Sequence, residues 1–197
     1  MTHYFKNDPN LKHNRKQIKF RFLGVDYILE SDAGVFSKDH VDTGTQLMLQ
    51  HIGEGQISDP FLDFGCGYGV VSCVVKTMAP QLEVIASDIN QRAVELSKIN
   101  VEKYNLDIEV IQSDGFENIH QKFKTIAFNP PIKVGKEKMY GLLAQCHAHL
   151  YKKGVLIIVI RKDQGAKSAI AYLQTLFEEI RIIIKKKGFW VISCEKA

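Results

Sequence analysis

From about residue 57 to the end of the chain, short apolar runs alternate with longer segments whose apolar positions recur every three or four residues. The runs "DPFLDFGC", "LEVIASDI", "IEVIQSD", "KTIAF" and "VLIIVI" read as strands. The last of these is almost wholly apolar, as expected of a strand covered on both faces. Between them, "GVVSCVVKTMA" reads as a helix stopped by Pro80, and "QRAVELSKINVEKYN" carries Ala93, Leu96, Ile99, Val101 and Tyr104 at helical spacing. The segment "EKMYGLLAQCHAHLYKK" is expected to be one helix closed by Gly154 as its C-terminal cap, and "AKSAIAYLQTLF" a further helix. The tail "EIRIIIKKKGFWVISCEK" holds two strands around a Lys-Gly turn, most simply an antiparallel hairpin at a sheet edge. Strand–helix alternation of this kind predicts an α/β fold, a doubly wound, mostly parallel sheet of seven strands.

The first 50 residues follow another rhythm. "IKFRFLGVDYILESDAGVF" alternates like a small strand pair and "TGTQLMLQHI" reads as a short helix. Residues 1–50 are therefore expected to form a β-containing extension packed on a single main domain of residues 51–197. A length of 197 residues favours one full-sized core.

Composition narrows the classes. The hydrophobic fraction of 45% and charged fraction of 24% are those of an ordinary globular protein, and no apolar run approaches the roughly 20 residues of a membrane span. The N-terminal stretch "MTHYFKNDPNLKHNRKQ" lacks the apolar centre of a secretory signal. Cys66, Cys73, Cys146 and Cys194 are scattered with no C-x-x-C pair, which suggests neither a zinc site nor a disulfide framework and fits a reducing cytoplasm. His147 and His149 stand two apart on a predicted helix and point different ways, a poor metal pair, so no metal is expected. The net charge is +4, concentrated around Lys12–Arg21, Lys133–Lys138 and Lys185–Lys187. Either the fold gathers these clusters on one face, where they could contact phosphates, or they are three separate solvated surfaces.

The chemistry-bearing residues stand where strands end. "LDFGCGYG" places Asp63, Gly65, Cys66, Gly67 and Gly69 after the first main strand. Alternate glycines let backbone approach a bound molecule, but the third comes one residue early for the G-x-G-x-x-G of dinucleotide binders. An acidic residue two places before the first glycine suits a ligand with an amine and no pyrophosphate. Asp88, 23 positions after Gly65, stands close to the spacing at which a carboxylate meets a ribose, or else caps the following helix, a task Asn90 could perform instead. Asp114-Gly115 is either an adenine contact or a turn. Finally, "FNPPIKVGK" delivers Asn129, Pro130 and Pro131. A residue before proline is held extended, and proline has no N–H. The turn thus presents the Asn129 side-chain oxygen and the Pro130 carbonyl as acceptors with few competing donors, or else it merely ends a strand.

Taken in order, "LDFGCGYG", "ASDIN", "QSDGF" and "FNPPI" resemble the successive motifs of class I S-adenosylmethionine-dependent methyltransferases. The likeness is closer to the small methyltransferase domain of the RsmC type, which modifies guanine N2 in small-subunit ribosomal RNA. "GVFSKDHVDTGTQLML", "NPPIKVGKE" and "RKDQGAKS" resemble further segments of that family, and the likeness runs from about residue 20 to 197. It implies a Rossmann-like fold, S-adenosylmethionine as cofactor and RNA, most simply ribosomal RNA or the small subunit, as partner. By the same resemblance Asp63, Gly65 and Gly67 would line the methionine moiety, Asp88 the ribose, and Asp114 with Gly115 the adenine, with Cys66 and Ile89 also among the cofactor-binding residues. Asn129, Pro130 and Pro131 would sit between cofactor and acceptor. Enzymes that methylate adenine N6 or glutamine usually carry an aromatic residue after the prolines. Ile132 stands there instead, which argues against those acceptors and leaves Phe36 as a candidate clamp for the base. Lys133 and Lys136 are either phosphate contacts or solubilising surface. Related enzymes can carry a second, degenerate copy of the domain. With one copy here, a monomer or homodimer is expected, with simpler recognition or help from a partner.

Overall fold

The computed structural model describes residues 11–55, 57–131 and 134–197. The extension supplies an antiparallel pair, β1 (Lys16–Phe22) and β2 (Val25–Ser31), followed by α1 (Thr43–Glu54). The alternating part then runs β3 (Phe61–Phe64), α2 (Val70–Met78), β4 (Val84–Asp88), α3 (Gln91–Lys103), β5 (Ile108–Gln112), β6 (Phe123–Phe128), α4 (Lys136–Ala148) and β7 (Leu150–Arg161). A single 3-10 turn at Lys162–Gln164 leads to α5 (Ala166–Leu173), and β8 (Glu179–Lys186) and β9 (Phe189–Glu195) close the chain. Helix α1 runs across position 50, so the extension and the main domain share it.

Seven strands form one sheet in the order β5-β4-β3-β6-β7-β9-β8, parallel from β5 to β7 and antiparallel through the last hairpin. The expected doubly wound α/β sheet with an antiparallel C-terminal hairpin is what the chain forms. Alternate strand residues feed two cores. Ala127, Ile157, Val159 and Val191 join α1, α2 and α3 on one face. Ile126, Phe128, Ile158, Ile160 and Ile192 join α4 and α5 on the other. Among the described residues no helix is long and apolar enough to cross a membrane.

One element departs from expectation. The helix expected to reach Lys153 ends at Ala148, and Leu150 already pairs with Phe123 of β6. Phe123 N–H donates to His149 C=O at 2.8 Å, so a sheet bond takes the carbonyl that a continuing helix would use. Gly154 is therefore not a cap. It lies within β7, where a Cβ would stand 2.8 Å from the Tyr151 carbonyl oxygen and 3.1 Å from that of Phe123.

The β1–β2 pair is fastened to the main domain by buried Asn100 of α3. Its Oδ1 accepts from Glu30 N–H at 2.7 Å, and its Nδ2 donates to the carbonyls of Glu30 at 3.0 Å and Tyr68 at 2.8 Å. One side chain thereby joins the extension to the loop after β3.

Sheet order also decides where a ligand can sit. From β3 the chain first adds strands on one side, β4 and β5, and then on the other, β6 and β7. Such a reversal opens a crevice at the carboxyl ends of the strands that flank it. Phe64 and Phe128 are register partners, so the glycine loop after β3 and Asn129 after β6 leave the sheet side by side.

Candidate active site

The crevice is a cavity lined by Asp63, Gly65, Cys66 and Gly67 from the end of β3, and by Asp88 and Ile89 from β4. Asp114 and Gly115 after β5, and Asn129, Pro130 and Pro131 after β6, complete its lining, with Phe36 on the extension side. Four strand ends thus bring these sequence-selected residues to one place. Lys136 lies apart, in a second cavity, and Ile132 and Lys133 fall outside the described residues.

The glycine loop is built by sheet bonds and left-handed turns. Gly65 and Cys66 N–H both donate to Ser87 C=O, at 2.8 and 2.9 Å. Gly67, at φ +57°, turns its N–H to Asp88 Oδ2 at 2.9 Å. Gly69, at φ +86°, opens α2, and a Cβ there would fall 2.6 Å from Ser97 Oγ on α3. Gly67 needs glycine for its conformation alone, and Gly69 for both conformation and space. Asn90 caps α3, accepting from Arg92 N–H at 3.0 Å, while Asp88 Oδ1 accepts from Asn90 N–H at 2.8 Å. The Asp88 carboxylate therefore ties β4 to the glycine loop and remains half-buried in the cavity wall.

Burial sets the electrostatics. Asp63 is 3% exposed, and its Oδ2 accepts from Ser72 N–H at 2.9 Å. Burial outweighs that bond and pushes its carboxyl up from 3.8 to about 7, with the Asp88 charge adding to the rise. Burial likewise raises the Asp88 carboxyl and the Cys66 thiol, so Cys66 is an inert wall rather than a nucleophile. At the other end exposed Asp114 pairs with Lys138 Nζ at 3.4 Å. Asp63 and Asp88, two carboxyl groups in one cavity wall, suit a ligand with an ammonium group and a sulfonium. Asp88, half-buried in the wall, could accept from ribose hydroxyls, while Gly115, at φ +59°, packs against the Gln145 side chain, whose Oε1 would stand 2.5 Å from a Cβ there. S-adenosylmethionine fits this donor set, with Asp63 and the glycine loop able to hold its methionine end.

Sequence reasoning missed what orients Asn129. Its Nδ2 donates to Asp42 Oδ2 at 3.2 Å and to Thr45 Oγ1 at 3.0 Å. An ionised carboxylate can only accept, so the amide nitrogen must face it and Oδ1 must face away. Asp42 is also the N-cap of α1, accepting from Thr45 N–H at 3.1 Å. Between them Gly44 has no room for a side chain, since a Cβ would lie 2.8 Å from Asp42 Oδ2 and 3.0 Å from the Phe189 ring. The signal was present in "VDTGT", an Asp with Thr three residues on at a helix start, but its partner is 87 residues away.

Asn129 and Pro130 also line the second cavity, with Lys136 and Met139 of α4, Val159, Ile160 and Arg161 of β7, Gln164 and Phe189. The two cavities thus share the Asn-Pro step. His147 packs edge-on against Phe177 and His149 stacks on Phe116, and neither histidine lines either of these two cavities.

Comparison with known proteins follows the same lines. Residues 26–193 match the family model of the methyltransferase small domain. The chain is 38% identical to the uncharacterised protein YbxB of Bacillus subtilis over 98% of each chain. It is 34% identical to the ribosomal RNA small subunit methyltransferase C of Psychromonas ingrahamii over 82% of this chain and 46% of that protein. It thus spans about half the length of the relatives of that name that it matches. Among solved structures, a 16S rRNA N2 methyltransferase (RsmC) from T. thermophilus, in complex with AdoMet and guanosine, superposes with a TM-score of 0.84 at 24% identity. It covers 98% of this chain and 53% of that one.

Proposed function

The chain belongs to the methyltransferase small domain family, and from that premise we propose that it transfers the methyl group of S-adenosylmethionine to the exocyclic amine, N2, of a guanine in RNA, in the first place small-subunit ribosomal RNA. The observation that carries this reading is the locked amide of Asn129 at the junction of two cavities. When bound, S-adenosylmethionine supplies an activated methyl on a sulfonium, and the remaining work is alignment. Asn129 Oδ1 and the Pro130 carbonyl accept the two hydrogens of the incoming amine. That grip points the nitrogen lone pair at the neighbouring cavity and withdraws it from conjugation with the base. With the amine so held, bound S-adenosylmethionine would supply the methyl and leave as the neutral thioether, and the surplus proton of the amine would pass to water. Holding two reactants in such a geometry is worth about 7–11 kcal/mol of barrier, so a strong general base is unnecessary. The curated relatives named as small-subunit RNA methyltransferases, and the T. thermophilus enzyme solved with guanosine, support the choice of acceptor.

The test is transfer of tritiated methyl to small-subunit ribosomal RNA, naked or in assembled subunits, prepared from cells lacking the protein. Wild type should label one guanine. Asn129→Ala should abolish labelling while calorimetry finds cofactor affinity largely intact. Normal turnover by that variant sinks the role of the turn, and absence of label on any RNA sinks the acceptor.

A further inference from the structure

We propose that the opposite end of the sheet carries a second contact with RNA, a lysine patch around Tyr151 that takes backbone phosphates away from the reacting guanine; this rests on the RNA reading above. The patch is built where β6 and β7 begin and β9 ends. Lys124 Nζ donates to Lys152 C=O at 2.9 Å and lies 5.7 Å from the centroid of the Tyr151 ring. Lys153 N–H donates to Lys196 C=O at 2.9 Å, and Lys196 N–H donates to Gly154 C=O at 2.9 Å. These bonds gather Lys124, Lys152, Lys153 and Lys196, and Lys122 stands close enough to Lys196 for their charges to interact. None of these lysines belongs to the charged runs visible in the sequence.

Little of that charge is neutralised by the protein. Among the described residues only Lys153 of this group makes an ion pair, with Glu195 at 3.3 Å. Lys196 holds carbonyls instead, donating from Nζ to His147 C=O at 2.7 Å and to Leu150 C=O at 3.0 Å, which closes the end of α4. Lys122, Lys152 and Lys153 are exposed, and Tyr151 is 42% exposed beside them. Burial, together with the charge of Lys122, pulls the Lys196 ammonium below its ordinary value, a strain that a seated anion relieves. Acids border the patch, Asp59 and Glu83 on the β3–β4 side and Glu179 on the β8 side, but among the described residues none of these pairs with a patch lysine.

A surface that serves only solubility intersperses both signs. Lysines gathered with so little counter-charge fit a polyanion, and the Tyr151 hydroxyl adds a neutral donor of the kind that binds phosphate oxygens. The six residues of β6 separate Lys122 from Asn129, so at about 3.3 Å per residue the patch lies roughly 20 Å from the reacting edge. RNA held there is gripped at nucleotides remote from the target, which fixes its position on the enzyme without reading its bases.

A triple variant of the full chain, Lys122→Gln, Lys152→Gln and Lys153→Asn, removes exposed charges only; Asn suits position 153, where φ is +60°. The probe is small-subunit ribosomal RNA from cells lacking the protein. Each lost phosphate contact removes about 0.7–0.9 from the salt slope of log K, so the slope read by fluorescence anisotropy should flatten by about 2–3. KM for RNA should rise about tenfold at physiological salt, while kcat, Tm and cofactor affinity by calorimetry keep their wild-type values. The pair Lys122→Arg and Lys152→Arg retains the charge and should retain wild-type slope and KM. Wild-type slope and KM in the triple variant, alongside a wild-type protein that does methylate the RNA, overturns the patch and leaves the acceptor reading standing. An unchanged slope on naked RNA with a KM that rises on assembled subunits puts a protein on these lysines and also overturns it. A wild-type protein that neither binds nor methylates any RNA overturns both readings.

Discussion

Asp42 does two things with one carboxylate, and they can be separated. Its Oδ2 accepts from Thr45 N–H, capping α1, and from Asn129 Nδ2, fixing which way the amide faces. Asp42→Ser keeps a good N-cap, since Ser, Asp and Asn cap about equally well, so stability should move by a few tenths of a kcal/mol. The shorter hydroxyl cannot span the distance that the carboxylate covers, and it can donate as well as accept. Asn129 is then held by Thr45 alone and is free to turn its Nδ2 towards the acceptor amine, where donor would meet donor. A hydrogen bond to a charged group is worth about 1.5–3 kcal/mol. If that energy holds the reactive orientation, losing it slows transfer about tenfold to a hundredfold. Single-turnover methyl transfer reads the rate, and calorimetry reads cofactor affinity, a needed control because Asp42 also lines the cofactor cavity. The expected pattern is a large loss in rate, a smaller one in affinity and an unchanged Tm. Asp42→Ala should add a lost cap of about 1 kcal/mol, seen as a Tm fall of about 2–4 °C. A Ser variant that transfers within twofold of wild type would show that the amide does not depend on the carboxylate.

Asp63 makes stability and binding depend on pH in opposite senses. Its folded carboxyl, near 7 against 3.8 unfolded, binds a proton that the unfolded chain has released, so it costs the free protein stability as pH rises from about 4 to about 7 and adds nothing further above that. The difference amounts to about 4 kcal/mol over the whole window. Wild type compared with Asp63→Asn should show this in Tm measured from pH 4 to 8, and a pH-independent difference refutes it. A cationic cofactor amine restores the charged form, so cofactor affinity should strengthen over the same rise in pH, with proton release in calorimetry. Separately, Asn100→Leu strands Glu30 N–H and two carbonyls at the seam between extension and main domain. It should cost about 3 kcal/mol and lower Tm by roughly 6–12 °C, with protease cutting first in the β1–β2 pair; an unchanged Tm removes the clip.

How far the sequence could be read depended on how local each determinant is. Apolar runs such as "VLIIVI", and Pro80 after "VVSCVVKTM", carry their own period and stop, and β7 and α2 formed where those signals lie. The end of α4 does not obey local signals. Leu150, Tyr151 and the two lysines after them are compatible with a helix, but Phe123, almost 30 residues upstream, claims the His149 carbonyl and pairs with Leu150. Pairing into a buried sheet outweighs the few tenths of a kcal/mol by which those residues prefer helix. The meeting of Pro130 and Lys136 with Phe189 in one cavity is non-local in the same way. It follows from β9 being inserted between β7 and β8, an order that no stretch of sequence announces.

The site itself divides along the same line. The acceptors that this turn presents could be named from the sequence because Asn129, Pro130 and Pro131 are adjacent, and proline's missing N–H and fixed φ act on their immediate neighbours. Their direction could not. An amide is nearly symmetric in shape, and only its partners decide which end faces the acceptor. Here the partners belong to the first turn of α1, in the segment that precedes every cofactor motif. The same turn, through Gly44, also rests on Phe189. A displacement of α1 would therefore move the partners of the Asn129 amide and the packing against Phe189 together. Asp42, Gly44 and Thr45 thus each have a structural task in a segment to which the sequence alone assigned no cofactor contact.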